Sequence, residues 1–582
     1  MVKRDMEMMI RYFKKKIYLG TLSFKLFIAF IFILLIFMVG SPTICLIVSS
    51  LKKTGFPIDP GFTIENYLNT YSDIQTYKLF FNSFVFSIGT TFVAMTIGII
   101  FAWLVERTDT PFRNIVKGMI ISTMAVPPVI LAVSWVLLLS PKIGLFNQIT
   151  MYLFNLRNPF FNVYSLSGMA FVQGLALVPT TFLMLSPAFR NMDPSLEEAA
   201  SVSGAGTIQI IRTIFLPILK PAILSTSIFV FIVGLVVFDV PGIIGLPVRI
   251  MVFSSQIFFS THPPNGLPEY GNVSAMATSY LFIIVLTILI YFKLTKNQNR
   301  FTTITGKGFR PRAFQLGNWR YAAAAFFIIY IIIAILMPLG ILIWTSLLPY
   351  YSRFSLNQLN TLSIENYRIF FEHHNVVQAL KNTFIVSIVS ATVVAFLSFA
   401  VSWIVTRVRN KSSQLLDMLA FIPLGIPHVL MGLSLIFVYL TLKFIPIYGT
   451  IWIISLAYIT NYLSFGTRTM NGAMIQIHKD LEEASAVSGA AWFDTFSRIT
   501  FPLALPAMIS VWIWVAGHAM RELSAALMLA SGNNIVLSTL LWGFWEGGNT
   551  PAAATVGVFL IVFLLVLMIT VQLFTKRSQL RF

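Results

Sequence analysis

Long apolar runs alternate with short polar stretches along the whole chain. Crossing the hydrocarbon core of a bilayer takes roughly 20 apolar residues in a helix. Backbone groups inside lipid must also satisfy their own hydrogen bonds, which favours helices. The pattern therefore predicts an all-α integral membrane protein with twelve transmembrane helices, six in each half of the chain. These spans lie at about residues 26–50, 80–104, 115–139, 164–187, 217–240, 275–294, 321–346, 380–405, 416–440, 447–470, 502–530 and 553–575.

The composition agrees with lipid as the main solvent. Of the 582 residues, 57% are hydrophobic and 10% are charged, whereas soluble proteins have about 25% charged residues. A net charge of +19 would suggest nucleic acid as a partner of a soluble protein. In a membrane protein, Lys and Arg collect in the cytoplasmic loops instead. We therefore expect a lipid bilayer, and no nucleic acid, around this chain.

The basic residues also predict an orientation. Six spans in each half place the N-terminus, the middle connector and the C-terminus on one side of the membrane. Residues 293–320 contain Lys and Arg but no acid, and both termini are basic. Arg107 and Arg407 fall in the basic loops that follow spans two and eight. By the positive-inside rule, both termini should be cytoplasmic.

The chain contains an internal duplication. Residues 64–67 (Ile-Glu-Asn-Tyr) recur as residues 364–367, and Asn82, Trp103 and Pro127 also recur 300 residues later. Further along, the shift becomes 285 residues. Because each half has an even number of spans, the two six-helix repeats should be parallel, related by an axis along the membrane normal. We expect residues 1–300 to form the first transmembrane half and residues 301–582 the second.

One duplicated stretch is especially informative. Residues 196–204 read Leu-Glu-Glu-Ala-Ala-Ser-Val-Ser-Gly, and residues 481–489 read Leu-Glu-Glu-Ala-Ser-Ala-Val-Ser-Gly. Capping-box spacing, Asp480 with Glu483 in the second copy, predicts that a short helix starts there. Gly204 and Gly489 permit a sharp change of direction. Pro217 and Pro502 then suit the first turn of the next membrane helix.

These two loops, 193–217 and 478–502, resemble the EAA motif of ABC-importer permeases. The first copy matches the motif fully, and the second departs from it at Ser485 and Phe501. The resemblance implies a type I ABC importer-like permease in the cytoplasmic (inner) membrane of a bacterium. Its short helices would seat in a homodimeric ATPase at 193–215 and 478–500. The ATPase-coupling residues would be Glu197, Glu198, Ala199, Ala200, Gly204, Pro217, Glu482, Glu483, Ala484, Ser485, Gly489 and Pro502.

The resemblance also implies an extracytoplasmic solute-binding protein, which would dock on outer loops in 51–79, 241–274 and 347–379. A phosphate-binding P-loop needs Gly, four residues, then Gly-Lys-Ser/Thr. The nearest stretch, Gly306-Lys307, has Phe301 and Gly308 at the other required positions. We therefore expect no enzyme activity and no cofactor in this chain, with ATP and Mg²⁺ held by the partner ATPase.

The fused two-half layout resembles the ferric-iron and thiamine branch of these permeases. Three stretches, at 238–242, 304–312 and 521–524, resemble permeases assigned to iron. Ferric iron is the favoured solute, and thiamine, phosphonate, polyamine and sugar phosphate remain open. A more distant alternative is an ion-coupled secondary transporter, which would also have two repeats and twelve spans.

Charged residues in the membrane are costly, by about 2.5–3.5 kcal/mol on insertion scales. Asp239, Arg521 and Glu522 lie late in spans five and eleven. They either line the solute pathway or have structural roles, at the interface or paired with neighbours. His428 and His518 are expected to be packed, hydrogen-bonded residues. The sequence leaves metal ligands unknown.

Overall fold

A computed structural model describes residues 22–190, 211–263, 265–295, 314–353, 355–408, 410–442 and 444–579, with residues 192, 200, 202–204, 206 and 209. These residues form helices joined by turns and loops, and an isolated bridge links Thr108 to Phe314. Within them, nine helices are long and apolar enough to cross a membrane. Three bent helix pairs bring the candidate spans to as many as twelve. The predicted all-α membrane fold is confirmed.

The α-helices before the middle connector begin with a long membrane helix that contains one wide turn. They are Leu22–Leu35, Ser41–Ser50, Glu65–Ser72, Ile74–Arg107, Arg113–Ser122, Pro128–Leu139, Leu145–Leu153, Leu166–Arg190, Leu216–Val236, Phe253–Thr261 and Tyr270–Thr295.

The α-helices after the connector follow a similar order. They are Trp319–Ile331, Met337–Ser346, Glu365–Glu372, His374–Val408, Lys411–Phe421, His428–Thr441, Ile451–Gln476, Asp480–Val487, Trp492–Thr495, Phe501–Ala519, Ser524–Leu529, Leu537–Glu546 and Thr550–Gln579.

The duplication is visible in contacts as well as in helices. The Asn82 side chain donates to the carbonyl of Met251 at 3.1 Å, and the Asn382 side chain donates to the carbonyl of Ile535 at 2.8 Å. Both amides hold the extended segment that precedes a later helix. Hydrogen bonds from such amides commonly join separate segments of membrane proteins.

Spans three and nine are bent, and the prediction of continuous helices over 115–139 and 416–440 is wrong. Their two parts meet at angles of 91° and 111°. Proline disfavours helical geometry in the residue before it, and Val126 and Ile426, which precede Pro127 and Pro427, are extended. Each proline therefore ends one helix, and the chain starts another in a new direction.

Three further boundaries differ from the prediction. The helix expected over 502–530 ends at Ala519, and a separate short helix follows. The helix Ile451–Gln476 is long enough to cross a membrane, but it contains too many polar residues to be one of the nine apolar helices. Conversely, the stretch predicted as an outer loop at 241–274 contains a bent apolar pair, 241–248 and 253–261.

Wide π-helical turns precede prolines in four membrane helices. The turns Ile36–Gly40, Ile211–Phe215, Ile332–Leu336 and Phe496–Thr500 each end two residues before a proline. A proline ring clashes with the carbonyl four residues earlier in a regular α-helix. A π turn moves that carbonyl aside, so the helix continues across the membrane.

The chain forms two compact units that do not follow the sequence halves. One unit contains the residues up to Thr63 together with Gln378–Val536. The other unit contains Ile64–Val377 together with Leu537–Phe582. In the first unit, Ser41–Ser50 packs against His428–Thr441. In the second, Met337–Ser346 packs against Pro128–Leu139 and Thr550–Gln579. The two repeats thus exchange their first membrane helices, while the division at residue 300 stays a prediction about the duplication.

Close helix packing in each unit depends on a small residue at one equivalent contact. A Cβ on Gly98 would lie 2.5 Å from the Thr181 methyl group, between Ile74–Arg107 and Leu166–Arg190. In the second repeat the partners are Ser398 and Gly466, and a Cβ on Gly466 would clash with the Ser398 hydroxyl. The glycine is on the earlier helix in the first repeat and on the later helix in the second. In both repeats it lets the two helices approach closely, as is common in membrane helix packing.

Candidate functional site

The second EAA copy forms a short exposed helix, Asp480–Val487, which we call the second coupling helix. Leu481 is 46% exposed and Val487 is 83% exposed. The predicted start of a short helix is confirmed, but Lys479 is the N-cap residue and there is no side-chain cap, so Asp480 and Glu483 do not form the predicted capping box. Asp480 instead joins Glu482 and Glu483 in the first turn, where acidic side chains interact favourably with the helix dipole.

The first EAA copy is described only in part. Glu197, Glu198 and Ala199 lie outside the described residues. Ala200 is helical and partly exposed, and Val202 is 89% exposed.

The two copies share a turn and a proline. Gly204 and Gly489 have φ angles of +82° and +84°, a region that other residues rarely adopt. Since no atom would lie within 4 Å of an added Cβ, the need for glycine is conformational. Pro217 and Pro502 lie in the first turns of Leu216–Val236 and Phe501–Ala519. The predicted change of direction and the predicted proline positions are confirmed.

The second coupling helix is tied to its membrane domain by side-chain contacts. The Glu482 carboxylate lies 2.9 Å from the Arg407 guanidinium and accepts a hydrogen bond of 3.1 Å from the Thr500 hydroxyl. The hydroxyls of Ser485 and Thr495 are 2.8 Å apart. Ser485, where the motif has alanine, therefore adds a link to the segment that leads into the next membrane helix.

An aromatic cluster holds the start of that segment. The Trp492 ring packs against Phe24, Phe27 and Trp403, with ring centroids 5.4–6.2 Å apart. Its indole nitrogen donates to the Ser23 hydroxyl at 3.0 Å. The first membrane helix thus contacts the region after the second coupling helix, 469 residues away in sequence. No local pattern in the sequence predicted this contact.

Glu522 lies just after the end of Phe501–Ala519, and its carboxylate has three partners. His428 Nδ1 lies 3.0 Å away, the Ala525 N–H donates at 3.1 Å, and the Tyr462 hydroxyl donates at 3.3 Å. The Tyr458 hydroxyl donates to the Glu522 carbonyl at 2.9 Å. We call Glu522, His428, Tyr462 and Tyr458 the glutamate cluster. This cluster links the chain just after Phe501–Ala519 to the start of His428–Thr441, which follows the bend at Pro427.

Arg521 points to a different partner. Its guanidinium lies 2.7 Å from His518 Nε2, and His518 Nδ1 lies 2.8 Å from the Trp514 carbonyl. Arginine only donates hydrogen bonds, so His518 Nε2 must be the acceptor. The proton of the imidazole is then on Nδ1, where it donates to Trp514. His518 is accordingly a packed, hydrogen-bonded residue, as predicted, and it also stacks on Trp514 at 3.7 Å.

The candidate pathway residues Arg521 and Glu522 lie in one compact unit, and Asp239 lies in the other. Arg521 and Glu522 are neighbours but contact different histidines. Asp239 is 8% exposed and follows Leu216–Val236 in the other compact unit. Both acids lie beyond a helix end and not within a span, because each membrane helix stops before reaching them. Among the described residues, no group of three or more His, Cys, Asp or Glu side chains could hold a metal ion.

Sequence reasoning missed Arg407, Thr500, Tyr458 and Tyr462. A signal existed for Arg407, because Arg107 recurs at the same shift of 300 residues. Both arginines were interpreted as loop charges, but they lie in the last turns of Ile74–Arg107 and His374–Val408. Arg107 is 1% exposed. A buried, repeated arginine at a helix end is a functional candidate in its own right.

Comparison with known proteins identifies a family model that matches twice. The model, described as binding-protein-dependent transport system inner membrane component, matches residues 94–304 and 397–580. Together the two matches cover more than half of the chain.

Similar proteins include two whose names refer to ferric transport. Ferric transport system permease protein FbpB of Actinobacillus pleuropneumoniae is 24% identical over 547 residues, which are 93% of this chain and 76% of that protein. Putative ferric transport system permease protein FbpB 1 of Haemophilus influenzae is 26% identical over 521 residues, or 87% and 78%. A third, putative 2-aminoethylphosphonate transport system permease protein PhnV of Salmonella typhimurium, is 25% identical over 167 residues, or 29% and 63%.

Proposed function

The chain belongs to the family of inner membrane components of binding-protein-dependent transport systems, and from this premise we propose how it is driven and what it carries. It is a multi-pass ABC-importer permease and not an enzyme. We propose that a separate homodimeric ATPase, which holds ATP and Mg²⁺, supplies the energy. The observation that carries this proposal is the family match in both repeats, each of which includes one EAA loop.

The ATPase would bind at 193–215 and 478–500. The exposure of the second coupling helix supports this, because its outward face is available to a partner. Ala484 is exposed next to Glu483, and a small side chain there would let a partner surface approach closely. Gly489 and Pro502 connect this helix directly to a membrane helix, so movement of one would move the other.

We further propose that the chain lies in a bacterial inner membrane with both termini in the cytoplasm. The predicted orientation then puts the residues between Ser50 and Ile74, and between Ser346 and His374, on the outer side. A solute-binding protein would deliver its cargo there.

Ferric iron is the solute that we propose. Two relatives that cover most of this chain are named for ferric transport, whereas the phosphonate-named relative matches less than a third of it. Thiamine, phosphonate, polyamine and sugar phosphate are the alternatives to be tested beside iron. The family match weighs against an ion-coupled secondary transporter.

Reconstitution in proteoliposomes tests the proposal. The purified chain would be compared alone and with its ATPase, with ⁵⁵Fe³⁺ presented on the binding protein. We expect uptake only when the ATPase and ATP are both present, since the chain has no P-loop. Uptake driven by an ion gradient without the ATPase would instead establish a secondary transporter. ATP-driven uptake of thiamine or a phosphonate, but not of iron, would keep the mechanism and overturn the solute.

A further inference from the structure

Arg407 connects more parts of the molecule than its pair with Glu482 alone. It lies at the end of His374–Val408, and its Nη atoms donate to the carbonyls of Met474 at 3.3 Å and Ile477 at 3.0 Å. Those carbonyls belong to the end of Ile451–Gln476, where backbone acceptors have no partner within the helix. One guanidinium therefore satisfies the end of a neighbouring membrane helix and also pairs with the coupling helix.

Glu482 extends this network to a fourth element. Its Oε1 atom accepts from Arg407 Nε and from the Thr500 hydroxyl. Thr500 closes the π turn that leads into Phe501–Ala519. Arg407 and Glu482 thus join the ends of two membrane helices, the second coupling helix and the start of a third membrane helix. We call this set the arginine latch.

Equivalent positions in the first repeat are joined in a similar way. Arg107 donates to the Met192 carbonyl at 3.2 Å, and Met192 is the counterpart of Ile477. The Arg107 guanidinium also lies 5.8 Å from the centre of the Phe215 ring, and Phe215 is the counterpart of Thr500. Although threonine has been replaced by an aromatic residue, a cation–π contact keeps the arginine against the same π turn. The contact of the arginine with the neighbouring helix end thus occurs in both repeats. The arginine is also linked to the π turn in both, directly in the first repeat and through Glu482 in the second.

We propose that Arg407 is a positioning residue for transport, and that Glu482 acts inside the permease and not as a contact to the ATPase. This inference rests on the proposed function. In it, Glu482 holds the second coupling helix to the membrane helices. Closure of the ATPase would then move three membrane helices through the Arg407–Glu482 pair.

Burial supports this role of Arg407 and Glu482 inside the permease. The side chains of Arg407 and Glu482 are 9% and 12% exposed, so a docked protein could reach little of either. Pairs this well buried are costly to break from one side, because the remaining charge loses its partner. An arginine also fits a site with several acceptors better than a lysine does, since its planar fork donates in fixed directions.

A double-mutant cycle tests the proposal in the complete importer with its ATPase and binding protein. The variants are Arg407→Gln, Glu482→Gln and the two combined, and the readout is ATP hydrolysis stimulated by loaded binding protein, together with uptake. We expect each single change to reduce stimulated hydrolysis about tenfold. The combined variant should be no less active than the less active single variant, because both changes break the same Arg407–Glu482 contact. Arg407→Lys should keep part of the activity.

A matched control is Arg468→Gln, which breaks a more exposed ion pair of 3.1 Å with Asp417 in the same repeat. We expect it to change stimulated hydrolysis less than about twofold. Losses that multiply, to about a hundredfold in the combined variant, would mean that Glu482 acts independently of Arg407 and would overturn the proposal. Normal activity in Arg407→Gln would also overturn it.

Hydrogen exchange separates failure of the latch from failure of the proposed function. In the purified chain without ATPase, Arg407→Gln should increase amide exchange in Asp480–Val487, and Arg468→Gln should not. Unchanged exchange would overturn the latch even if the importer were active. A wild-type chain without ATP-driven uptake would instead overturn the proposed function, whatever the exchange experiment showed.

Discussion

Reversing the charge of Glu198 and Glu483 together is expected to reduce solute uptake at least about a hundredfold. Both residues precede the small residues of the motif, and Glu483 lies in the first turn of an exposed helix. A groove that accepts an acidic helix start would meet a lysine in each repeat, and like-charge contacts of this kind cost several kcal/mol. Uptake by cells that carry Glu198→Lys and Glu483→Lys, normalised to the amount of chain in the membrane, measures this.

The matched control is Glu7→Lys, which reverses an acid on the same predicted side of the membrane but outside both proposed ATPase-binding stretches. Because no contact with the ATPase is proposed there, uptake should stay within about twofold of wild type. If the chain that carries both Glu198→Lys and Glu483→Lys bound the ATPase and transported normally, the motif would not be the coupling element.

Removing the Glu522 carboxylate is expected to destabilise the chain by about 3–5 kcal/mol, because His428 and two other donors lose a buried acceptor. The change is Glu522→Ala, and the measurement is thermal unfolding of the detergent-solubilised protein. Glu522→Gln keeps an acceptor of the same shape and should cost less. The carboxylate's contacts with His428, Ala525 and Tyr462 make a structural role the simplest explanation of this buried acid.

Glu372→Ala is the control for that prediction, since Glu372 pairs with Arg368 on an exposed helix surface. It should change the free energy of unfolding by less than about 1 kcal/mol. A pathway role for Glu522 predicts the opposite pattern, with unchanged thermal stability and lost uptake in Glu522→Gln. That outcome would contradict the structural explanation.

Much of the fold could be predicted from hydrophobic length, since lipid imposes helices of a known span. Proline disfavours helical geometry in the residue before it, so the bends at Pro127 and Pro427 could also have been predicted from the sequence. Apolar length also located the helix at Ile451–Gln476, which is buried among other helices and is more polar than the nine apolar helices. It was misleading at 241–261, where a short bent pair replaces the expected loop.

Contacts between distant residues could not be predicted in this way. Nothing near Trp492 indicates that Ser23 and Phe24 lie against it. The glutamate cluster likewise depends on where two helices stop, which apolar length does not determine. Repeats were the exception, because Arg107 and Arg407 occupy equivalent places in sequence and make equivalent contacts in the structure. Comparing the two halves of the chain therefore carries information that neither half has alone.

Site-specific cross-linking tests the coupling of this permease to its ATPase most directly. Cys45 is the single cysteine of the chain, so Cys45→Ser gives a background for one introduced thiol carrying a photoactivatable maleimide. We predict that Ala484→Cys and Ala200→Cys each cross-link the ATPase in a transporting complex, and that Tyr350→Cys on the predicted outer side does not. An active complex in which neither coupling position reached the ATPase would contradict the account.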